Sequence, residues 1–147
     1  MPLSSRGFKE QDLTALTAHE VTHAFVADMS GNLAPAWINE GLAEYEEAKV
    51  RKTPDTIFKA ALKSNQLFNA DELMGQASSA SITDSSRVNL FYQQSLNLVT
   101  YMVGRYGMFR VKQVLAEFGK GKNSDEALRD VLHISSDRLE QEWRATL

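Results

Sequence analysis

Apolar residues recur along almost the whole chain at intervals of three and four, the period of an amphipathic helix. Strand-like alternation is confined to weak candidates near Leu3 and Ile82. A first helix is predicted from about Gln11 to Met29, stopped by Gly31-Asn32. After Pro35 a second runs from about Ala36 to Lys49. Thr53-Pro54-Asp55 reads as an N-cap with proline at the first helical position. It opens a helix carrying Ile57, Phe58, Ala61 and Leu62. The small, polar stretch from Gly75 to Ser81 has the composition of a mobile loop.

From about Val88 a long helix reaches Tyr106, with Tyr92, Leu96, Val99, Val103 and Tyr106 on one face. Gly107 breaks it. Val111, Val114, Leu115 and Phe118 form the next stripe, closed by Gly119-Lys120-Gly121. Asn123-Ser124-Asp125-Glu126 starts another helix, with carboxylates in its first turn, where the helix dipole favours them. A last helix carries Leu139, Trp143 and Leu147 on one face. The pattern is that of one mainly α domain spanning 1–147, without repeats, in which residues 1–10 are expected to be flexible.

Composition narrows the function classes. At 147 residues the chain can bury a core without staples, about 68–70% of its unfolded surface. Sixteen Lys+Arg against nineteen Asp+Glu leave a formal charge of −3, which excludes a strongly basic nucleic-acid footprint and a polybasic membrane anchor. No apolar run approaches the ~20 residues of a membrane span. The absence of cysteine excludes disulfides, cysteine zinc sites and thiol nucleophiles, but leaves the compartment open. Met1 to Gly7 holds no apolar signal core, so the protein is either cytoplasmic or an exported domain whose leader has been removed.

The chemistry concentrates in His19-Glu20-Val21-Thr22-His23. Residues four apart share a helical face, roughly 5–6 Å apart at Cβ. Two imidazoles so placed can reach one Zn²⁺ at about 2.0–2.1 Å. Glu20 lies one step around the helix, suited to take a proton from a water whose pKa zinc lowers from about 15.7 to about 7. Glu40 follows His23 by seventeen residues, and the turn at Gly31-Asn32 lets the second helix fold back. Glu40 then completes a His₂Glu set with an open fourth position, the catalytic rather than the structural arrangement. Glu44, one turn on, and Asn39 are candidates to steady the ligand imidazoles by hydrogen bonds. Glu46 and Glu47 read as a solvated acidic face.

His19-Glu20-x-x-His23 followed by Trp37-Ile38-Asn39-Glu40-Gly41-Leu42-Ala43-Glu44-Tyr45 resembles the gluzincin metallopeptidases. It looks closest to bacterial peptidase MA-like domains, themselves similar to zinc aminopeptidases of the aminopeptidase N type. Phe91-Tyr92-Gln93-Gln94-Ser95, Arg105-Tyr106-Gly107 and the ending Leu139-Glu140-Gln141-Glu142-Trp143-Arg144 extend the resemblance over about residues 13–147. It implies a helical zincin-like fold, zinc on His19, His23 and Glu40, Glu20 as general base, and a peptide or protein substrate. It also implies that Tyr92 donates a hydrogen bond to the oxyanion. Tyr92 equally falls on the stripe with Leu96 and Val99, where it would simply be core.

Two departures qualify the resemblance. The small sheet that precedes the His-Glu helix in gluzincins, whose edge strand binds extended substrate, is largely missing from the eighteen residues before His19. The chain is then a fragment of a longer protein, or holds substrate differently. The segment that gathers a substrate α-amine in the aminopeptidases also lies upstream, so aminopeptidase activity itself is not implied. The rival reading is a non-catalytic zinc-binding or interaction domain derived from a gluzincin; a third is a metal-free helical scaffold. Oligomerisation stays open, since an incomplete fold can bury an exposed face by pairing. His133, alone near a helix end, reads as structural or solvent-facing rather than as a ligand, and Lys49 to Lys52 as a helix-end charge cluster. The serines from Ser78 to Ser86 read as a linker. No serine sits in a nucleophile elbow, and no glycine-rich phosphate loop appears.

Overall fold

Two long helices fold against each other through one tight turn. In the computed structural model, which describes residues 3–75 and 82–147 and their side chains from Glu10 on, α1 spans Leu3–Ser30 and α2 spans Ala36–Ala48. The turn uses two consecutive left-handed residues, Gly31 (φ 58°) and Asn32 (φ 62°). The Asn32 N–H donates back to the Ala27 carbonyl at 2.9 Å, closing the end of α1. The Ser30 hydroxyl donates to the Val26 carbonyl and accepts from the Ala34 N–H, so the reversal is bonded on both sides.

Six further helices follow this pair among the described residues. They are α3 (Thr56–Lys63), α4 (Ala70–Met74), α5 (Ser85–Tyr106), α6 (Met108–Phe118), α7 (Ser124–Leu132) and α8 (Ser136–Arg144). No strand occurs among the described residues. α2 lies between α1 and α5, while α6 touches α1, α5 and α7. Trp37 is fully buried, and its indole N–H donates to Ser124 Oγ at 2.9 Å, joining α2 to the start of α7. No helix among the described residues is long and apolar enough to cross a membrane.

Several element boundaries shift from those expected. α1 begins at Leu3 rather than near Gln11, so the weak strand candidate there is helical, and Ile82 lies in no strand. α3 starts at Thr56, with Asp55 as an N-cap whose side chain makes no capping hydrogen bond; Pro54 precedes the helix instead of opening it. α5 starts at Ser85 rather than near Val88, its N-cap Asp84 accepting from the Ser86 N–H. The loop expected over Gly75 to Ser81 falls, beyond Gly75, outside the described residues, as does much of the serine-rich linker. α7 starts as expected, with Asn123 forming a capping box with Glu126, and α6 buries the expected stripe.

The face of α5 is the larger correction. Of Tyr92, Leu96, Val99, Val103 and Tyr106, only Val99 is buried. The buried sector instead carries Phe91, Gln94, Ser95, Leu98 and Met102. The reason is that α5 is packed by α2, α3 and α6, and two polar residues belong to its interior. Gln94 is fully buried because its amide donates to the Phe68 carbonyl at 2.8 Å and accepts from the Phe68 N–H at 2.9 Å. Leu147 lies beyond α8 and is exposed, whereas Leu139 and Trp143 are buried.

Candidate metal centre

On α1, Asp12, Ala15, His19, His23 and Val26 follow one another at three- and four-residue steps, so they share the face turned to α2. On α2, Glu40, Glu44 and Glu47 do the same, and Arg51 continues the line just past the helix. The helices run antiparallel, so the stripes pair as a ladder. Asp12 meets Arg51, His19 meets Glu44 and Glu47, and His23 meets Asn39 and Glu40.

The central rungs converge on one oxygen. Glu40 Oε2 lies 3.4 Å from His23 Nε2 and 3.7 Å from His19 Nε2. The two imidazoles stand edge to face, with centroids 4.7 Å apart. His23 Nδ1–H donates to Asn39 Oδ1 at 2.8 Å, which leaves the lone pair of Nε2 facing Glu40. His19 has its Nδ1 buried with no hydrogen bond; Glu47 Oε1 is 3.8 Å away and Glu44 Oε1 3.9 Å.

These donors fit a metal ion. One ligating atom each from His19, His23 and Glu40 falls within 4.8 Å of the others. A tetrahedral ion with bonds of about 2.0–2.1 Å separates its ligand atoms by roughly 3.3 Å, close to the spacings of both Nε2 atoms from Glu40. The grouping of His19 with Glu44 and Glu47 is also within 4.8 Å, but it uses the other nitrogen of the same ring. Two imidazoles and a carboxylate without thiolate suit zinc and similar borderline ions.

The local electrostatics favour a cation. Glu44 has its carboxyl pushed up to about 7, first by burial, then by the carboxylates of Glu47 and Glu40. Arg51 and His23 pull it back only in part. Three carboxylates therefore share one face of α2 with a single guanidinium at its end.

Glu20 sits beside His19 on the exposed side of α1. Tyr92 is half-buried on α5, edge to face with Phe91, and lines a polar cleft of about 660 Å³ together with Glu44, Glu47 and Arg51. The structure thus gathers His19, His23, Asn39, Glu40 and Glu44, and brings Tyr92 into the cleft beside them. A second groove of about 570 Å³, lined by Val21, Phe25 and Tyr45 among others, contains none of the expected site residues.

Two expectations fail here. Glu47 is not on a solvated face: it is 7% exposed, against His19 and Arg51. Its place seven residues after Glu40, on the same face, was the available signal. Glu46 does remain partly exposed, paired with Lys49. Arg51 is more than part of a helix-end cluster, for its Nη1 donates to Asp12 Oδ1 at 2.6 Å, across to α1. His133 is the left-handed C-cap of α7 (φ 61°) and is exposed, in keeping with a structural or solvent-facing residue.

Comparison with curated proteins and with solved structures gives no match. The family model described as Peptidase MA superfamily matches residues 12–147. That span begins at Asp12, the first rung of the ladder, and takes in every helix from α2 to α8. A helical zincin-like fold whose first two helices bring two imidazoles and a carboxylate together is thus accounted for: this chain belongs to the Peptidase MA superfamily.

Proposed function

We propose that the chain is a zinc-dependent peptidase that hydrolyses peptide bonds with an activated water, acting on a peptide or protein substrate rather than nucleic acid. The observation that carries this is the convergence of His19 Nε2 and His23 Nε2 on Glu40 Oε2. These three residues would hold the ion. When bound, zinc supplies Lewis-acid polarisation of the scissile carbonyl and makes water acidic enough to ionise near neutrality.

The protein's own groups do the rest. Glu20 takes the proton of the attacking water and returns it to the departing amine, one carboxylate serving as base and then acid. Its exposure leaves it open to substrate. Tyr92, from the adjoining cleft, donates a hydrogen bond to the negative charge that develops on the carbonyl oxygen. Asn39 fixes the tautomer of His23, and Glu44 and Glu47 flank the outer nitrogen of His19.

The first test is zinc per chain in protein purified without added metal, beside a His23→Ala variant. About one equivalent, lost in the variant, is expected. No zinc and no uptake of added zinc would overturn the reading. Peptide-library hydrolysis follows, with Glu20→Gln as control: the variant should keep zinc and lose nearly all turnover. A Glu20→Gln enzyme as active as wild type would refute the mechanism, and zinc without turnover in wild type would leave a non-catalytic metal-binding domain.

A further inference from the structure

Arg51 occupies an unusual position in the ladder. It is the cation that closes a face otherwise lined by carboxylates, and it touches both helices. Its Nη1 donates to Asp12 Oδ1 of α1 at 2.6 Å, and its Nη2 to Glu47 Oε1 of α2 at 3.3 Å. Beside it Gln11 Nε2 donates to the Val50 carbonyl at 2.8 Å, a second tie between the same two segments. The oxygen of Glu47 that Arg51 holds is also the one 3.8 Å from His19 Nδ1.

We propose that Arg51 is a positioning residue of the metal centre: by forking between Asp12 and Glu47 it holds Glu47 beside His19 Nδ1, 3.8 Å away, poised to accept from Nδ1–H when the ring engages the ion. Resting on the zinc reading above, this keeps His19 Nε2 unprotonated and turned to the ion. Glu44 is about as close to His19 Nδ1, at 3.9 Å, but no guanidinium hydrogen bond orients it. Glu47, 7% exposed, has little freedom to turn away. The ion pairs of Arg51 are themselves about a third exposed on the arginine side, so they contribute little to global stability. What they fix is geometry: a planar fork sets the register of two helices in a way that a point charge does not. Asp12 and His19 are seven residues apart on one face of α1, so the tie lies two turns from the ligand it steadies.

The experiment uses the full chain and Zn²⁺ alone, with affinity read by competition against a chromophoric chelator. Arg51→Met and Asp12→Asn are compared with Arg51→Lys. Arg51→Met should weaken zinc binding by about 10–100-fold, the usual effect of losing outer support for a ligand. Arg51→Lys should fall between, since an ammonium cannot fork to both carboxylates. Long-range ¹H–¹⁵N spectra of the metal-free protein near pH 8 should show the His19 Nδ1–H tautomer losing population in Arg51→Met. The melting temperature in chelator should move little. Wild-type zinc affinity in Arg51→Met would overturn the proposal. So would an affinity loss that follows a lower melting temperature while the His19 tautomer is unchanged, the mark of a merely structural tie. If wild type takes up no zinc, the proposed function fails, while the tautomer measurement still decides the role of Arg51.

Discussion

Replacing Gly41 by alanine tests whether the approach of α2 to α5 is what holds Glu40 in place. Gly41 follows Glu40 directly and faces α5. A Cβ there would lie 2.5 Å from Val99 Cγ2 and 2.8 Å from the Ser95 carbonyl oxygen. Ordinary carbon contacts are about 3.5–4.0 Å. Val99 cannot readily yield, being fully buried and β-branched in a helix. The Ser95 carbonyl belongs to the α5 backbone and cannot move without it. Overpacking of this kind costs about 1–3 kcal/mol, and contact with rigid backbone puts Gly41 in the upper part of that range. Alanine regains about 1 kcal/mol of helix propensity. The net loss is about 1–2 kcal/mol, or about 2–8 °C in melting temperature for a chain of this size. Gly104→Ala is the control. It lies in α5 with no heavy atom within 4 Å of its added Cβ, so it should gain about 0.5–1 kcal/mol. Both melts are run with chelator, so that bound metal does not add to stability. Gly41→Ala should also bind zinc more weakly, because relief of the clash moves Glu40. A Gly41→Ala protein that melts at or above wild type, or two variants that shift the same way, would refute the reasoning.

Three further outcomes are expected. Asn39→Ala should cost about 10–100-fold in zinc affinity with little change in metal-free melting, because the carbonyl that fixes His23 Nδ1–H is removed; chelator competition reads it. Gln94→Met should destabilise the fold by about 1–3 kcal/mol in urea titrations. It orphans the buried Phe68 N–H, whereas the Phe68 carbonyl keeps its bond from Arg144 at 3.0 Å. Asp125 is held below its ordinary value of 3.8 by its hydrogen bond from Arg129, then by the Ser136 N–H. The native state therefore binds fewer protons than the unfolded chain in that window. Its contribution is complete above about pH 4 and is lost as pH falls through the folded pKa. The stability gap between wild type and Asp125→Asn should narrow on acidification, and urea midpoints across pH 2–6 would show it.

What the sequence made legible follows how locally each feature is encoded. The turn at Gly31-Asn32, the helix start at Asn123 and the α6 stripe are decided by neighbours within a few residues, and the structure has them as read. His19, His23 and Glu40 were legible because a fixed helical period and one reversal bring them together. The inner face of α5 was misread because polar residues there are satisfied by distant backbone: Gln94 by Phe68, from another part of the chain. Glu47 was misread for the same reason. A glutamate near a helix end is ordinarily solvated, and only the arrival of α1, with His19 and the Asp12–Arg51 pair, makes its burial tolerable.

The acidic face of α2 shows why such a feature points to function rather than to stability. Carboxylates at four- and three-residue spacing repel one another on any helix. Burial is the larger cause that lifts Glu44 to about 7, and the neighbouring carboxylates of Glu47 and Glu40 add to it. A carboxyl raised in this way binds more protons folded than unfolded, so between its ordinary value of 4.5 and about 7 it makes the metal-free fold less stable as pH rises. Glutamine at Glu44 or Glu47 would relieve that repulsion at similar volume. One guanidinium, shared with Asp12, does not neutralise three carboxylates. A divalent cation between His19, His23 and Glu40 would offset most of the charge that remains. The local rules of helix stability are broken where two imidazoles face three carboxylates, and the same charge that weakens the empty fold is what would draw the ion in.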